Sequence, residues 1–364
     1  MDLSPVDWDA IRQMVDEVRA IADQITLVVV ANIKPQRALD GDYAGTSVTT
    51  EYLSENEASQ ILRGFEGNGF YTKFYEGELG LISSSLDGGF AKLPRSKKLV
   101  YSIAQSGTGI GRKSLVPAFC RLQQIPICNS DTYVLSLARH KFHVYCILKS
   151  LGIPVADSWL YEAGSGWLLS AKPPTGVELI AKACFESASI GLTAESVGVL
   201  SDSYESMLDA KSRELRQPII VQRLIEGYEA EVAVIAVRNR PMVLDPVSIT
   251  LGGRSDLGNA ILDYEIVEDD GYGFSRSDHL GNTVVQELRR AAAHTFTALG
   301  ISNVGRVDFR ISASDGSIFV TDVATSPHLI EHSSFNFSFS GAGMGHVDLM
   351  GAIAGSNACR LGWI

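Results

Sequence analysis

Gly305-Arg306-Val307-Asp308-Phe309-Arg310-Ile311 and Ile318-Phe319-Val320-Thr321-Asp322-Val323-Ala324 read as two strands joined by a short turn. A three-residue loop, Ser314-Asp315-Gly316, with glycine in the left-handed position, would set Asp308 directly opposite Asp322 on one face. Facing carboxylates repel each other. A divalent cation between them reverses the sign of that interaction, and hard oxygen ligands suit Mg2+. A two-residue loop would shift the register by one and send the two side chains to opposite faces, as ordinary solvated acids. The hairpin alone does not choose between these.

Upstream, the chain has the rhythm of a parallel α/β domain. Ile25-Thr26-Leu27-Val28-Val29-Val30-Ala31 reads as a fully buried strand, Ser54 to Gly67 as a helix, and Lys98 to Ala104 as a second strand. That strand ends in Gln105-Ser106-Gly107-Thr108-Gly109-Ile110-Gly111, whose spacing alone is weak evidence for phosphate binding. A ligand crevice is expected beyond the carboxyl ends of these strands, near Glu51 and the glycine loop. Residues 6–24 form an amphipathic helix that reads as an N-terminal addition. A helix from about Leu135 to Ser150 ends at Leu151-Gly152-Ile153-Pro154. Strands follow at Val155 to Tyr161, Leu179 to Ala183, Pro218 to Ile225 and Ala230 to Val237, the last paired with Met242 to Val247. The Gly- and Asp-rich residues 252–273 suit a mobile loop over a site.

Composition narrows the class. The 364 residues are 45% hydrophobic and 20% charged, enough for two or three domains with real cores. A net charge of −11 gives no footprint for nucleic acid, and no window is apolar enough to span a bilayer. No secretory signal is visible at Met1-Asp2-Leu3-Ser4-Pro5. Five cysteines without CxxC spacing point to reduced thiols in a cytoplasm.

In this order the segments resemble the D-alanine–D-alanine ligase branch of the ATP-grasp enzymes, from about Val29 to the C-terminus. The nearest likeness is Gly305 to Phe309 followed by Thr325-Ser326-Pro327-His328-Leu329-Ile330-Glu331-His332-Ser333; Gln222-Arg223-Leu224-Ile225-Glu226-Gly227-Tyr228-Glu229 resembles the family's adenine hinge. The resemblance implies an α/β (α+β overall) chain of three-domain architecture. An N-terminal extension (1–24) precedes a parallel α/β substrate domain (25–129), and two ATP-clamping α+β domains (130–221 and 222–364) follow. It implies an ATP- and Mg2+-dependent ligase that activates a substrate carboxylate as an acyl phosphate and joins it to an amine, in a cytoplasmic homodimer. Lys141 and Lys182 would reach the phosphates, with backbone N–H groups of the Glu186, Ser187 and Ser189 loop. Gln222, Arg223 and Leu224 would meet adenine, and Glu229 the ribose. Asp308 and Asp322 would hold the metal. Arg306 would stabilise the tetrahedral oxyanion, or else form a salt bridge to Asp322, while Ser333 would hold the carboxylate of the second amino acid and Glu51 a substrate amine, or else be an ordinary helix-start acid.

The departures from the family pattern are specific. Ala324 stands where a metal-binding Asn is usual, Asp322 replaces Glu, and Gln222 replaces the hinge acid. In the mobile loop Val267 and Glu268 replace a phosphate-contacting Lys and a substrate-side Tyr, and Arg254 is a candidate for the missing charge. His328 follows the proline in place of Gly, and the first-domain His is absent around Gln105-Ser106. These changes lead us to expect substrates other than two D-alanines, as in specialised or antibiotic metabolism. The alternatives are a D-alanine–D-alanine ligase proper, a nucleotide-binding protein that has lost activity, or a ligase using a different nucleophile.

Overall fold

The computed structural model describes residues 4–35, 42–169 and 172–364; Met1 to Leu3 and residues 36–41 of the polar stretch after the first strand lie outside it. Three sheets organise the chain. Ile25–Ala31, buried at every position, is the centre of a parallel sheet with Tyr71–Glu76 and Lys97–Ser102 on either side. The expected parallel domain is therefore present, and Tyr71–Glu76 is an additional strand. Helix Glu55–Glu66 opens with a capping box between Ser54 and Glu57.

The second sheet is antiparallel, in the order Gly166–Leu168, Ser158–Glu162, Ile219–Arg223, Glu178–Ala183, Val197–Val199. The third runs Tyr272–Arg276, Val247–Leu251, Gly227–Val237, Val304–Ser312, Ile318–Ala324, with Arg240–Val243 paired to Gly227–Val237. Residues 252–271 connect two neighbouring strands of this sheet and include a short helix, Tyr264–Glu268. No described helix is long and apolar enough to cross a membrane.

The decisive hairpin keeps its facing acids by a route that differs from the expectation. Ile311 pairs with Ile318 and Ser312 N donates to Ser317 O, so the loop is the four residues 313–316, with Gly316 at φ +72. That register would place Asp308 opposite Thr321. A bulge between Asp308 and Phe309 inserts one extra residue in the second strand, and Asp308 faces Asp322.

The helix expected from Leu135 to Ser150 is two helices, Thr132–Ala138 and Lys141–Ser150. Arg139 and Lys141 are both buried and both reach carboxylates in the central cavity. In one continuous helix they would point about 200° apart, so the chain breaks at His140, which caps the second helix.

Helix Trp8–Arg19 is built into the core. Ile11, Met14, Val15 and Val18 are buried, and the helix packs along His346–Arg360. Gly355 permits the approach: a Cβ there would lie 3.0 Å from Met14 Cγ and 3.1 Å from its carbonyl oxygen.

Candidate active site

All three sheets contribute to one cavity of about 440 Å³, a volume suited to a small-molecule site. Its lining includes Glu51, Lys141, Lys182, Glu186, Ser187, Ser189, Gln222, Arg223, Leu224, Glu229, Arg306, Asp308, Asp322 and Ser333, but not Arg254, the candidate for the missing charge.

At the centre, three carboxylates stand in a row on adjacent strands, because Asp308 is in register with Asp322 on one side and Glu231 on the other. Each acid has a cation. Lys141 Nζ is 2.6 Å from Asp322 Oδ1. Arg306 grips Asp308 with two N–H groups at 2.7 and 2.8 Å and reaches Glu231 at 3.1 Å. Arg306 is thus bound to Asp308 and Glu231 and not to Asp322, the partner that its ion-pair alternative required. Burial pushes Asp322 up, but Lys141 and Lys182 outweigh it and hold its pKa below the ordinary carboxylate value. For Glu231 burial wins over Arg306, with Asp308 adding repulsion, and its pKa rises to about 7.

Lys182 rises into the cavity from the apolar part of strand Glu178–Ala183. Burial, then repulsion from Lys141, lowers its pKa to about 8. Beyond that strand, Ala188 and Ser189 both have left-handed backbones, at φ +50 and +53. Consecutive non-glycine residues in this region are strained, and such strain concentrates at ligand-holding turns.

At the hinge, Gln222 Nε2 donates to Ser158 Oγ at 3.1 Å. Arg223 N donates to Asp157 O and Leu224 N to Glu178 O, at 3.0 and 2.9 Å. Those two N–H groups are occupied within the sheet, while Gln222, Arg223 and Leu224 all line the cavity. Glu229 is raised in pKa by burial despite Arg310 and Lys182. Arg310 also ties the hinge to the loop, donating to Ile225, Gly258 and Ala260 carbonyl oxygens.

The first-domain end differs from the expected amine site. Glu51 is contacted by Arg112 at 3.1 Å, Lys113 at 2.6 Å and Arg139 at 3.2 Å. Burial opposes its ionisation, yet Arg139, Lys113 and Arg112 together hold its pKa well below the usual range. Glu186, assigned to the phosphate loop, is bonded to Arg112, Arg139, Tyr43 and Gln217. The glycine loop before Arg112 is pinned by Glu78, which accepts from Ser106 N at 2.7 Å.

At the opposite end, Ser333 caps helix Ser334–Gly341, accepting from Asn336 N and donating to Ile330 O. Tyr272, Phe274 and His332 form an aromatic wall, with His332 2.6 Å from Asp270. Helix Tyr264–Glu268 closes over the cavity: Tyr264 Oη accepts from Ser47 N and Thr50 Oγ1, and Glu268 pairs with Lys34 at 3.3 Å.

Sequence reasoning did not select Glu231, Arg310, Arg112, Lys113 or Arg139. Two signals were available. Glu231 is two residues from Glu229 on one strand, hence on the same face, and Gly111-Arg112-Lys113 places two cations directly after a glycine loop at a strand end.

A family model described as "D-ala D-ala ligase C-terminus" matches residues 147–354. A D-alanine–D-alanine ligase of Bordetella petrii is 27% identical over 186 residues, 51% of this chain and 54% of that protein. The enzyme of Xylella fastidiosa is 25% identical over 277 residues, 74% of this chain and 86% of its own length. For the first two curated relatives, from Bordetella petrii and Frankia casuarinae, the match spans 54% and 61% of their length. Among solved structures, D-alanine–D-alanine ligase from Bacillus anthracis complexed with ATP aligns at TM-score 0.64 and 15% identity, covering 92% of this chain and 98% of that one. VanG D-Ala:D-Ser ligase from Enterococcus faecalis aligns at 0.62 and 17%, covering 92% and 99%. The fold is the mixed α/β ATP-grasp fold of these ligases, and the family model covers more than half of the chain: the protein belongs to the D-alanine–D-alanine ligase family.

Proposed function

We propose that this protein is an ATP-dependent carboxylate–amine ligase that joins two amino acids through an amide, releasing ADP and phosphate. The observation that carries this reading is the convergence of Asp308, Asp322, Lys141 and Lys182 on one cavity, with the two acids opposed by the bulge. Phosphoryl transfer depends on positioning and on cations at phosphate oxygens, and these are the groups it needs.

The donor set fits Mg2+. Asp308 and Asp322 are hard oxygen ligands on adjacent strands, and Mg2+ is commonly held by one or two carboxylates with phosphate oxygens and water completing the shell. Among the described residues no group of three or more His, Cys, Asp or Glu is arranged to hold a metal. Bound there, Mg2+ would neutralise charge on the transferring phosphoryl group. Asp308 and Asp322 would hold the ion, while Lys141 and Lys182 would face the phosphates and the Arg306 guanidinium the oxyanion of the amide-forming step.

The relatives' names support D-alanine–D-alanine ligation better than the narrower expectation of other substrates in specialised metabolism. One observation separates the donor end from a plain alanine site, the saturation of Glu51 by cations. The homodimer remains part of the proposal and is tested by light scattering. The activity is tested by ADP release with Mg2+ and ATP against D- and L-amino acids, singly and in pairs, with product masses. A product lighter than its two amino acids by one water is expected; nucleotide binding without ADP release under any pair would overturn the ligase reading.

A further inference from the structure

Glu51 is the acid that an incoming ammonium would need, and it has no capacity left. Its Oε1 accepts from Arg112 at 3.1 Å, Arg139 at 3.2 Å and Ser187 N at 3.3 Å; its Oε2 accepts from Lys113 at 2.6 Å and Arg139 at 3.3 Å. Five donor contacts exceed the roughly four lone-pair sites of a carboxylate. Glu186 is equally engaged. Three cations against these two acids leave one formal positive charge in a cluster whose side chains, Lys113 apart, are at most 4% exposed.

The unused capacity in this cluster is on the donor side. Lys113 has three N–H donors, of which Glu51 takes one, and its side chain is 16% exposed on the cavity wall. Arg139, 5% exposed, and Arg112, 2% exposed, each carry a buried Nε without a partner. His328 Nε2, on the facing wall, is likewise buried and unpartnered. Of the other acids nearby, Glu57 accepts from Ser54 N and Glu268 pairs with Lys34. Gln105 Oε1 is an unpartnered acceptor on the same wall, but it is neutral and does not reverse the balance.

We propose that the first-domain end of the cavity is an oxyanion subsite, in which Lys113, backed by Arg139 and faced by His328, binds a negatively charged oxygen group, and that Glu51 orders these cations rather than holding a substrate ammonium. The inference rests on the ligase reading for its choice of ligand. Two sources supply the oxyanion: a second carboxylate on the donor acid, or the transferred phosphoryl group, since Arg139 Nη1 also donates to Ser187 in the phosphate loop at 3.0 Å.

The test compares wild type with Lys113→Met, whose apolar stem fills the same space, and with Lys113→Gln should the first variant be insoluble. Calorimetry gives the affinity gap between a non-hydrolysable ATP analogue and ADP. ADP release gives KM for D-alanine, succinate, and D- and L-aspartate and glutamate. A gap that shrinks about tenfold or more identifies the phosphoryl group. An unchanged gap, with dicarboxylic acids preferred by wild type and their KM raised about tenfold in the variant, identifies the donor carboxylate. Lys113→Arg should restore either effect. An unchanged gap with an unchanged KM for every accepted acid overturns the proposal. If no acid drives ADP release in wild type, the ligase reading fails, while the nucleotide gap alone then decides the subsite.

Discussion

Asp308 faces Asp322 because the second strand of their hairpin carries one residue more than the first. A four-residue loop alone would have turned Asp322 away, and the bulge restores it to the cavity, where Lys141 Nζ holds it at 2.6 Å. On the proposed reading Asp322 would hold the metal, and in the structure it restrains Lys141. In Asp322→Asn the buried Lys141 loses its carboxylate partner and Mg2+ would lose one of two carboxylates. Mn2+ binding in the presence of ADP, followed by electron paramagnetic resonance, is expected to weaken at least about tenfold, and turnover to fall about 100-fold. Metal binding at wild-type strength would remove Asp322 from the ligand set.

Two buried lysines predict opposite pH responses of stability and nucleotide affinity. Lys113 and Lys182 have pKa values lowered from 10.5 to about 8, chiefly by burial. Between those values the unfolded chain binds more protons than the folded one, so stability rises as pH increases from about 8 towards 10.5. Nucleotide affinity should fall over the same window, because phosphate requires the charged lysine. Urea denaturation and calorimetry at pH 7.5 and 9.5 should move in these opposite directions. In Lys182→Met the stability slope should shrink and the affinity should lose most of its pH dependence.

The N-terminal helix is expected to be indispensable to the fold. Met14 is fully buried against His346–Arg360, and Gly355 leaves no room for a side chain there. Met14→Ala should cost about 2–5 kcal/mol in urea denaturation. Gly355→Val should be at least as damaging, because its Cβ would meet Met14 backbone as well as side chain. Stability unchanged in both variants would mean that this helix pairing contributes nothing.

What the sequence conveyed was local and periodic. The run Ile25 to Ala31, the capping signal at Ser54 and Glu57 and the alternation around Asp308 each reflect forces acting within a few residues, and each element formed. Tertiary competition decided the rest. The helix pattern around residue 139 was overridden because Arg139 and Lys141 both reach acids of the cavity, and the register of Asp322 depended on a bulge that no residue type announces. The saturation of Glu51 was hidden for the same reason: its partners are the adjacent Arg112 and Lys113 and, from a distant segment, Arg139, and only the folded chain brings them to Glu51.

Closure over the cavity depends on Tyr264. Its hydroxyl accepts from Ser47 N at 3.1 Å and Thr50 Oγ1 at 3.0 Å, fastening residues 252–271 to the first-domain segment that carries Glu51. Tyr264→Phe keeps the ring and removes both bonds, so the closed arrangement loses about 1–3 kcal/mol. Because the change acts on a closing segment, KM for nucleotide should rise while the melting temperature of the whole chain hardly moves. Arg254, exposed at the base of this loop, offers a readout independent of turnover. Trypsin should cut after it several-fold faster in the variant, and saturating ATP analogue should slow the cut in wild type more than in Tyr264→Phe. Equal cleavage rates, with and without nucleotide, would show that these two hydrogen bonds do not govern closure.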